Sequence, residues 1–234
     1  MKIKLQYIAC FLTGMLSLAS CQYDNYSPPS SKFSGAIMYK DDSINVSYNN
    51  VNFQLWQSGF GKLTPINVSV DQNGSFSALL FNGDYKLVFP SGQGPFESLI
   101  NSKTNSDTIP VHIQGNTNLD IQVLPYYIIL NPQFSVSDST VTATCKVEKI
   151  INDSTAQDIQ NIVLYLSKTF FDDGRTSIST AAVNGGNIAD MNNISLSARI
   201  PVMIPTQHYI FARIGLQINH VEDMIFSPVV KINY

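Results

Sequence analysis

The chain has 234 residues, 44% hydrophobic and 13% charged, with 14 Lys and Arg against 17 Asp and Glu and a formal net charge of −3. That is enough apolar material for one large core or two ordinary ones. The acidic balance and the lack of any basic cluster exclude the electrostatic footprint that nucleic-acid binding needs.

At the N-terminus, Lys2 and Lys4 precede an apolar run from Ile8 to Leu18 that ends in Leu18-Ala19-Ser20-Cys21. A positive start, a short apolar stretch and small residues before a cut describe a secretory signal peptide. The run is shorter than the roughly 20 apolar residues that span a bilayer. Leu-Ala-Ser-Cys also looks like a bacterial lipobox, which predicts a lipoprotein signal peptide over residues 1–20 and lipidation at Cys21. Two or three acyl chains there would anchor the protein stably, since each buried methylene contributes about 0.8 kcal/mol. Cys10 would leave with the signal peptide and Cys21 would be acylated. Only Cys145 would remain, and no internal disulfide is then possible. Cys145 alternates with Val141 and Val147 in TVTATCKVEKI, the pattern of a small buried hydrophobe. Loss of Lys2 and Lys4 with the leader takes the net charge to −5.

Residues 22–32, QYDNYSPPSSK, carry turn formers and little to bury, and read as a tether. Strand patterns follow at Phe33–Tyr39, where Gly35 permits a bend, at Val51–Trp56, and at Ile66–Val70. The stretch Asp71–Pro90, DQNGSFSALLFNGDYKLVFP, places turns at Asn73-Gly74 and Asn82-Gly83-Asp84. Phe76, Ala78 and Leu80 alternate with Ser77 and Leu79 on one side of the second turn, and Tyr85, Leu87 and Phe89 alternate with Lys86 and Val88 on the other. The expectation is a paired antiparallel unit whose apolar face needs a second sheet. Residues 91–107 form a long polar connection. Val111 and Ile113 are then expected to pair with Leu119, Ile121 and Val123 across Gly115-Asn116. After Pro125, strands are predicted over 126–138, 139–150, 161–169, 176–183, 194–202, 208–218 and 226–234. Single helical turns are compatible with 154–162 and 185–191. The reading is all-β: two tandem β-sandwich domains, 33–125 and 126–234, the second immunoglobulin-like or fibronectin-like by strand count.

Several blocks in this order resemble a known family. They are Cys21-Gln-Tyr-Asp-Asn-Tyr26, the Gly35 strand, NGSFSALLFNGDYKL, GQGPF at 92–96, and GNTNLDIQVLPYYII at 115–129. Together they resemble a family of Bacteroidetes lipoproteins of unknown function. The likeness spans nearly the whole mature chain and is strongest between Asn73 and Tyr127. It implies a carboxypeptidase-regulatory or transthyretin-like first sandwich and an immunoglobulin-like second one. It also implies a lipid anchor in the outer membrane, facing either the cell surface or the periplasm. The family's usual setting, beside glycan importers, implies a part in polysaccharide uptake. No catalytic residues come with the resemblance, and only the lipidation cysteine carries over.

The residues themselves offer little chemistry. His112, His208 and His220 show no HxH or HExxH spacing, so no metal site is expected. Asp71-x-Asn73-x-Ser75 begins like a calcium loop, but its twelfth position is Asn82 and its glycine falls fourth, which suits a turn better. Asp41-Asp42, Asp172-Asp173 and Glu222-Asp223 are adjacent pairs that point apart and read as solvated turn residues, not two acids flanking a bond. GxSxG and phosphate-binding glycine loops are missing. No cofactor is implied and no enzyme is expected. Aromatics are the residual binding signal. Trp56 falls opposite Val51, Phe53 and Leu55; on a solvated face it would make, with Tyr48, Phe60 or Phe96, a platform for a sugar ring, and otherwise it would pack under the 91–107 loop or against the second domain. The expected function is a non-catalytic accessory in polysaccharide capture, binding glycan or an outer-membrane transporter. The alternative is a structural spacer in an envelope complex.

Overall fold

The computed structural model describes residues 27–59 and 62–234. The expected signal peptide, Cys21 and Phe60 lie outside the described residues.

The first sandwich is built from β1 (Ser31–Tyr39), β2 (Asp42–Ser43), β3 (Asn52–Trp56), β4 (Ile66–Ser69), β5 (Ser75–Leu80), β6 (Gly83–Val88), β7 (Phe96–Ser98), β8 (Ile109–Ile113), β9 (Thr117–Asn118) and β10 (Ile121–Pro125). One sheet is antiparallel in the order β4-β3-β6-β8. The other centres on β1. Its first half pairs with β5, and its second half runs parallel to β10, with β7 beyond. Alternation along each strand turns Phe33, Ile37, Phe53, Leu55, Leu87 and Ile121 inward, all essentially without solvent exposure. Phe33, Phe53, Phe76, Phe89 and Phe96 meet in tilted or edge-to-face pairs at 4.8–6.5 Å, adding ring contacts to area burial.

Two expected pairings are corrected here. Asn73-Gly74 does turn the chain, with Gly74 at φ +82° and Val70 bridging Phe76. The next turn, however, does not join hairpin partners. β5 pairs with β1 and β6 with β3 and β8, so Asn82-Gly83 arches between sheets. Likewise β8 pairs with β6 and β10 with β1, not with each other. Alternation states which side chains point inward, and both pairs of strands do face one core, from opposite walls. Gly35 proves to be a point of close approach: a Cβ there would lie 1.9 Å from the Leu119 carbonyl oxygen.

The second sandwich contains β11 (Tyr127–Ser137), β12 (Thr140–Lys149), β13 (Ile159–Ser167), β14 (Ser179–Asn184), β15 (Ile194–Arg199), β16 (Tyr209–Ile218), β17 (Ile225–Phe226) and β18 (Val230–Asn233). Its sheets run β11-β12-β15 and β14-β13-β16, with β17 and β18 both on the free edge of β16. A 3-10 turn spans Gly185–Asn187, and among the described residues no helix is long and apolar enough to cross a membrane. Cys145 is buried, and burial pushes its thiol up to about 11.

One contiguous cluster of buried apolar residues runs through both sandwiches, and polar contacts fasten the seam between them. The Asp223 carboxylate accepts from Asn50 Nδ2 at 2.7 Å and from the buried Gly94 N–H at 2.8 Å. Arg213, fully buried, lays its guanidinium 3.6 Å from the Phe226 ring centre and donates to the Val46 carbonyl at 3.1 Å. Gln72 donates to the Phe170 carbonyl, and Phe226 N–H to the Asn45 carbonyl.

Candidate functional site

The outward face of the β4-β3-β6-β8 sheet is solvated, and its strands place a short row of functional side chains there. Trp56 stands at the end of β3 directly across from Lys86 on β6. Asp84 stands across from His112 on β8, and Pro110 across from Lys86. The neighbours of these residues, Leu55, Tyr85, Leu87 and Val111, point into the core, so the period of two sends the polar set outward. Ser58 and Leu63, from the loop after β3, close one side of a hollow of about 400 Å³.

Within this hollow Trp56 is half-buried, its Nε1–H donating to Gln54 Oε1 at 3.2 Å. That bond fixes the indole plane and leaves ring surface facing the hollow. His112 Nδ1 lies 2.7 Å from Asp84 Oδ1, and both side chains are largely exposed. Lys86 is exposed and takes part in no ion pair among the described residues. Beneath the hollow Tyr85 points into the core, its hydroxyl donating to the Phe81 carbonyl at 2.9 Å, and burial raises its phenol above the ordinary range. The arrangement combines one flat apolar surface with an ammonium donor, a carboxylate acceptor and an imidazole of either role. It suits a ligand with an apolar face and a hydroxylated rim.

The other aromatics expected beside Trp56 are placed elsewhere. Phe96 is buried, packed edge-to-face on Phe89 at 5.2 Å, where it forms the floor of a cleft between the sandwiches. Tyr48 is 39% exposed but belongs to the seam, its ring 4.7 Å from Phe171 of the second sandwich. So the structure does not gather Trp56, Tyr48 and Phe96 into one platform. The reason is register: Phe96 faces inward at the start of β7, and Tyr48 follows β2 toward the seam. The seam cleft, about 590 Å³, is bordered by Gln93, Glu97, Asp107, Tyr126 and His220. The half-buried Tyr126 there already has a partner, its hydroxyl lying 3.4 Å from Glu97 Oε1.

The expectation that Asp172-Asp173 and Glu222-Asp223 are solvated turn residues is corrected at the seam, where Asp172, Asp173 and Asp223 are buried, the first two beside the buried Arg213. Asp172 is fully buried with both carboxylate oxygens unpartnered, and burial pushes its carboxyl up to about 8 despite the pull of Arg213. Asp173 is held below the usual carboxylate range: hydrogen bonds from the Arg175 side chain and backbone outweigh its burial. Burial lowers Arg213 to about 10, against the opposite pull of Asp172 and Asp173. One signal was available, an arginine inside the long apolar strand YIFARIGLQI, since a buried arginine requires partners. Among the described residues no group of three or more His, Cys, Asp or Glu could hold a metal ion.

Comparison with known proteins gives a consistent picture. Residues 31–124 match the N-terminal domain of a protein family of unknown function, DUF3823, and residues 127–231 match its C-terminal domain of unknown function. The crystal structure of a DUF3823 protein from Parabacteroides merdae is 32% identical, with a TM-score of 0.76 over 88% of this chain and 100% of that one. Another from Bacteroides ovatus is 26% identical, with a TM-score of 0.76 over 87% and 98%. A candidate carbohydrate binding protein from Bacteroides uniformis shares the fold at 16% identity and a TM-score of 0.69, over 88% and 100%. No curated protein matches the chain.

Proposed function

The chain belongs to the DUF3823 family through both of its domains, and from that footing we propose that it is a non-catalytic saccharide-binding lipoprotein of the bacterial outer membrane. The observation that carries the reading is the Trp56 hollow, an indole surface bordered by Lys86 and the Asp84–His112 pair. A pyranose ring has an apolar C–H face that stacks on an indole, and a rim of hydroxyls that needs donors and acceptors beside it. The hollow supplies both. Among the described residues that line it, Asp84 is the one carboxylate, and this reading takes the role as capture. The Bacteroides uniformis protein of the same fold, described as a candidate for carbohydrate binding, is in keeping with this. In this reading Cys21 carries the acyl anchor and the residues between it and β1, which begins at Ser31 and not at the expected Phe33, are the tether. The captured polysaccharide passes to an outer-membrane glycan transporter.

The test is affinity electrophoresis of residues 22–234 in native gels cast with a panel of polysaccharides. Retardation by at least one glycan is expected, abolished by Trp56→Ala with the thermal melt intact. If no glycan retards the protein, or Trp56→Ala leaves retardation unchanged, the assignment of this site fails. The rigid seam would then favour a spacer role, since Arg213 and Asp223 fasten the two sandwiches together.

A further inference from the structure

The outer face of the second sandwich carries an apolar surface for which saccharide capture has no use. On β16, Ile210 and Ala212 point into the core, so Tyr209 and Phe211 point outward. Phe170 packs edge-to-face on Phe211 at 6.0 Å and is itself 53% exposed. The loop after β15 extends this surface. Met203 is buried and pins the loop to the core, which forces its neighbours Val202 and Ile204 outward, 92% and 82% exposed. The loop is fastened in place: Lys168 Nζ donates to the Ile204 carbonyl, and Gln207 Nε2 donates to the carbonyls of Lys168 and Tyr209. Two aliphatic side chains standing almost entirely in water on a tied loop are a costly arrangement for a protein that leaves them there.

Three basic residues stand along this end of the sandwich, and the exposed carboxylate of Asp138 lies at the β11–β12 turn, where the Ser139 carbonyl accepts from Ile200 N–H. Lys231 lies 4.0 Å from the Tyr209 ring centre, Lys168 is bonded to the loop, and Arg199 ends β15 just before it. None of the three is in an ion pair among the described residues, although the whole chain is acidic. A sugar is a poor occupant, because valine, isoleucine and phenylalanine side chains offer its hydroxyls no donor or acceptor.

We propose that this end of the second sandwich seats on an anionic lipid surface, with Val202, Ile204 and Phe170 entering the interfacial layer and Lys168, Lys231 and Arg199 meeting headgroup phosphates. Aliphatic and aromatic tips beside basic residues are the chemistry of interfacial binding, and each basic residue near such a surface adds attraction that salt screens. The inference stands apart from saccharide capture and draws on none of its residues.

The test is co-sedimentation of unacylated residues 22–234, which contain both sandwiches, with phosphatidylcholine vesicles with and without about one phosphatidylglycerol in four lipids. Binding to the anionic vesicles alone is expected, weakening as salt is raised. Val202→Asp/Ile204→Asp and Lys168→Glu/Lys231→Glu should each weaken it at least about tenfold with an unchanged circular dichroism melt. Ile204→Trp should report entry directly, as a blue shift of emission on adding anionic vesicles. Absence of binding, or binding indifferent to both double variants, overturns the proposal. So does a dimer in sedimentation velocity that Val202→Asp/Ile204→Asp dissolves, which would assign the surface to a second copy.

Discussion

Removing the Asp223 carboxylate should loosen the seam by an amount that follows from its contacts. In Asp223→Ala the Gly94 N–H, which is buried, loses its acceptor at 2.8 Å, while Asn50, which is exposed, loses its partner at 2.7 Å and rehydrates. A buried donor left unsatisfied costs about 1–3 kcal/mol, and the second bond contributes about 1 kcal/mol net. The expected loss is therefore about 2–4 kcal/mol, or roughly 5–12 °C in Tm for a unit of this size. Thermal melting by far-UV circular dichroism at neutral pH measures it. Trp56, the sole tryptophan, reports on the first sandwich separately. Asp223→Asn keeps one acceptor and should lose about half as much. Glu222→Ala, at the exposed neighbouring position, should stay within about 0.5 kcal/mol of wild type. If Asp223→Ala melted within that same margin, the contacts would be incidental and the argument for a fastened seam would be wrong.

The buried carboxyl of Asp172 makes a prediction whose sign is fixed by linkage. Its pKa in the fold, about 8, lies above the ordinary 3.8, so the folded state holds the proton longer and this group's contribution to stability is lost as pH rises between those values. Asp172→Asn, a neutral isostere, should become progressively more stable relative to wild type over that window, by up to about 1.4 kcal/mol per pH unit. Urea midpoints measured from pH 5 to 8 decide it, and parallel curves would refute it. Gly35→Ala should destabilise the first sandwich by about 3 kcal/mol or more, at the upper end for overpacking, because the intruding methyl meets the Leu119 backbone oxygen and not a side chain that can swing away. The urea midpoint followed by Trp56 fluorescence measures this, and a shift worth less than about 1 kcal/mol would show that the strands separate easily.

Much of the architecture was legible in the order of the residues. Alternation in NFQLW, GDYKLV and TVTATCKVEK states which side chains are buried, because a strand has only two faces and water tolerates apolar groups on neither for free. The placement of Trp56 on an outward face followed from the same rule. So did the burial of Cys145 and the exposure of His112. Pairing was not legible. β5 and β6 follow each other across Asn82-Gly83 with matching patterns, yet they lie in opposite sheets, since two strands facing one core carry the same alternation whether or not they bond each other. Nor could local pattern place Tyr48 against Phe171, 123 positions later, or set Arg213 under Val46. Those neighbours arise where one sandwich docks on the outer face of another, and such a contact leaves no period in either sequence. Alternation along the chain thus determined the inside and outside of each strand, while the composition of the seam and the isolation of the Trp56 hollow were decided only when the sheets closed on each other.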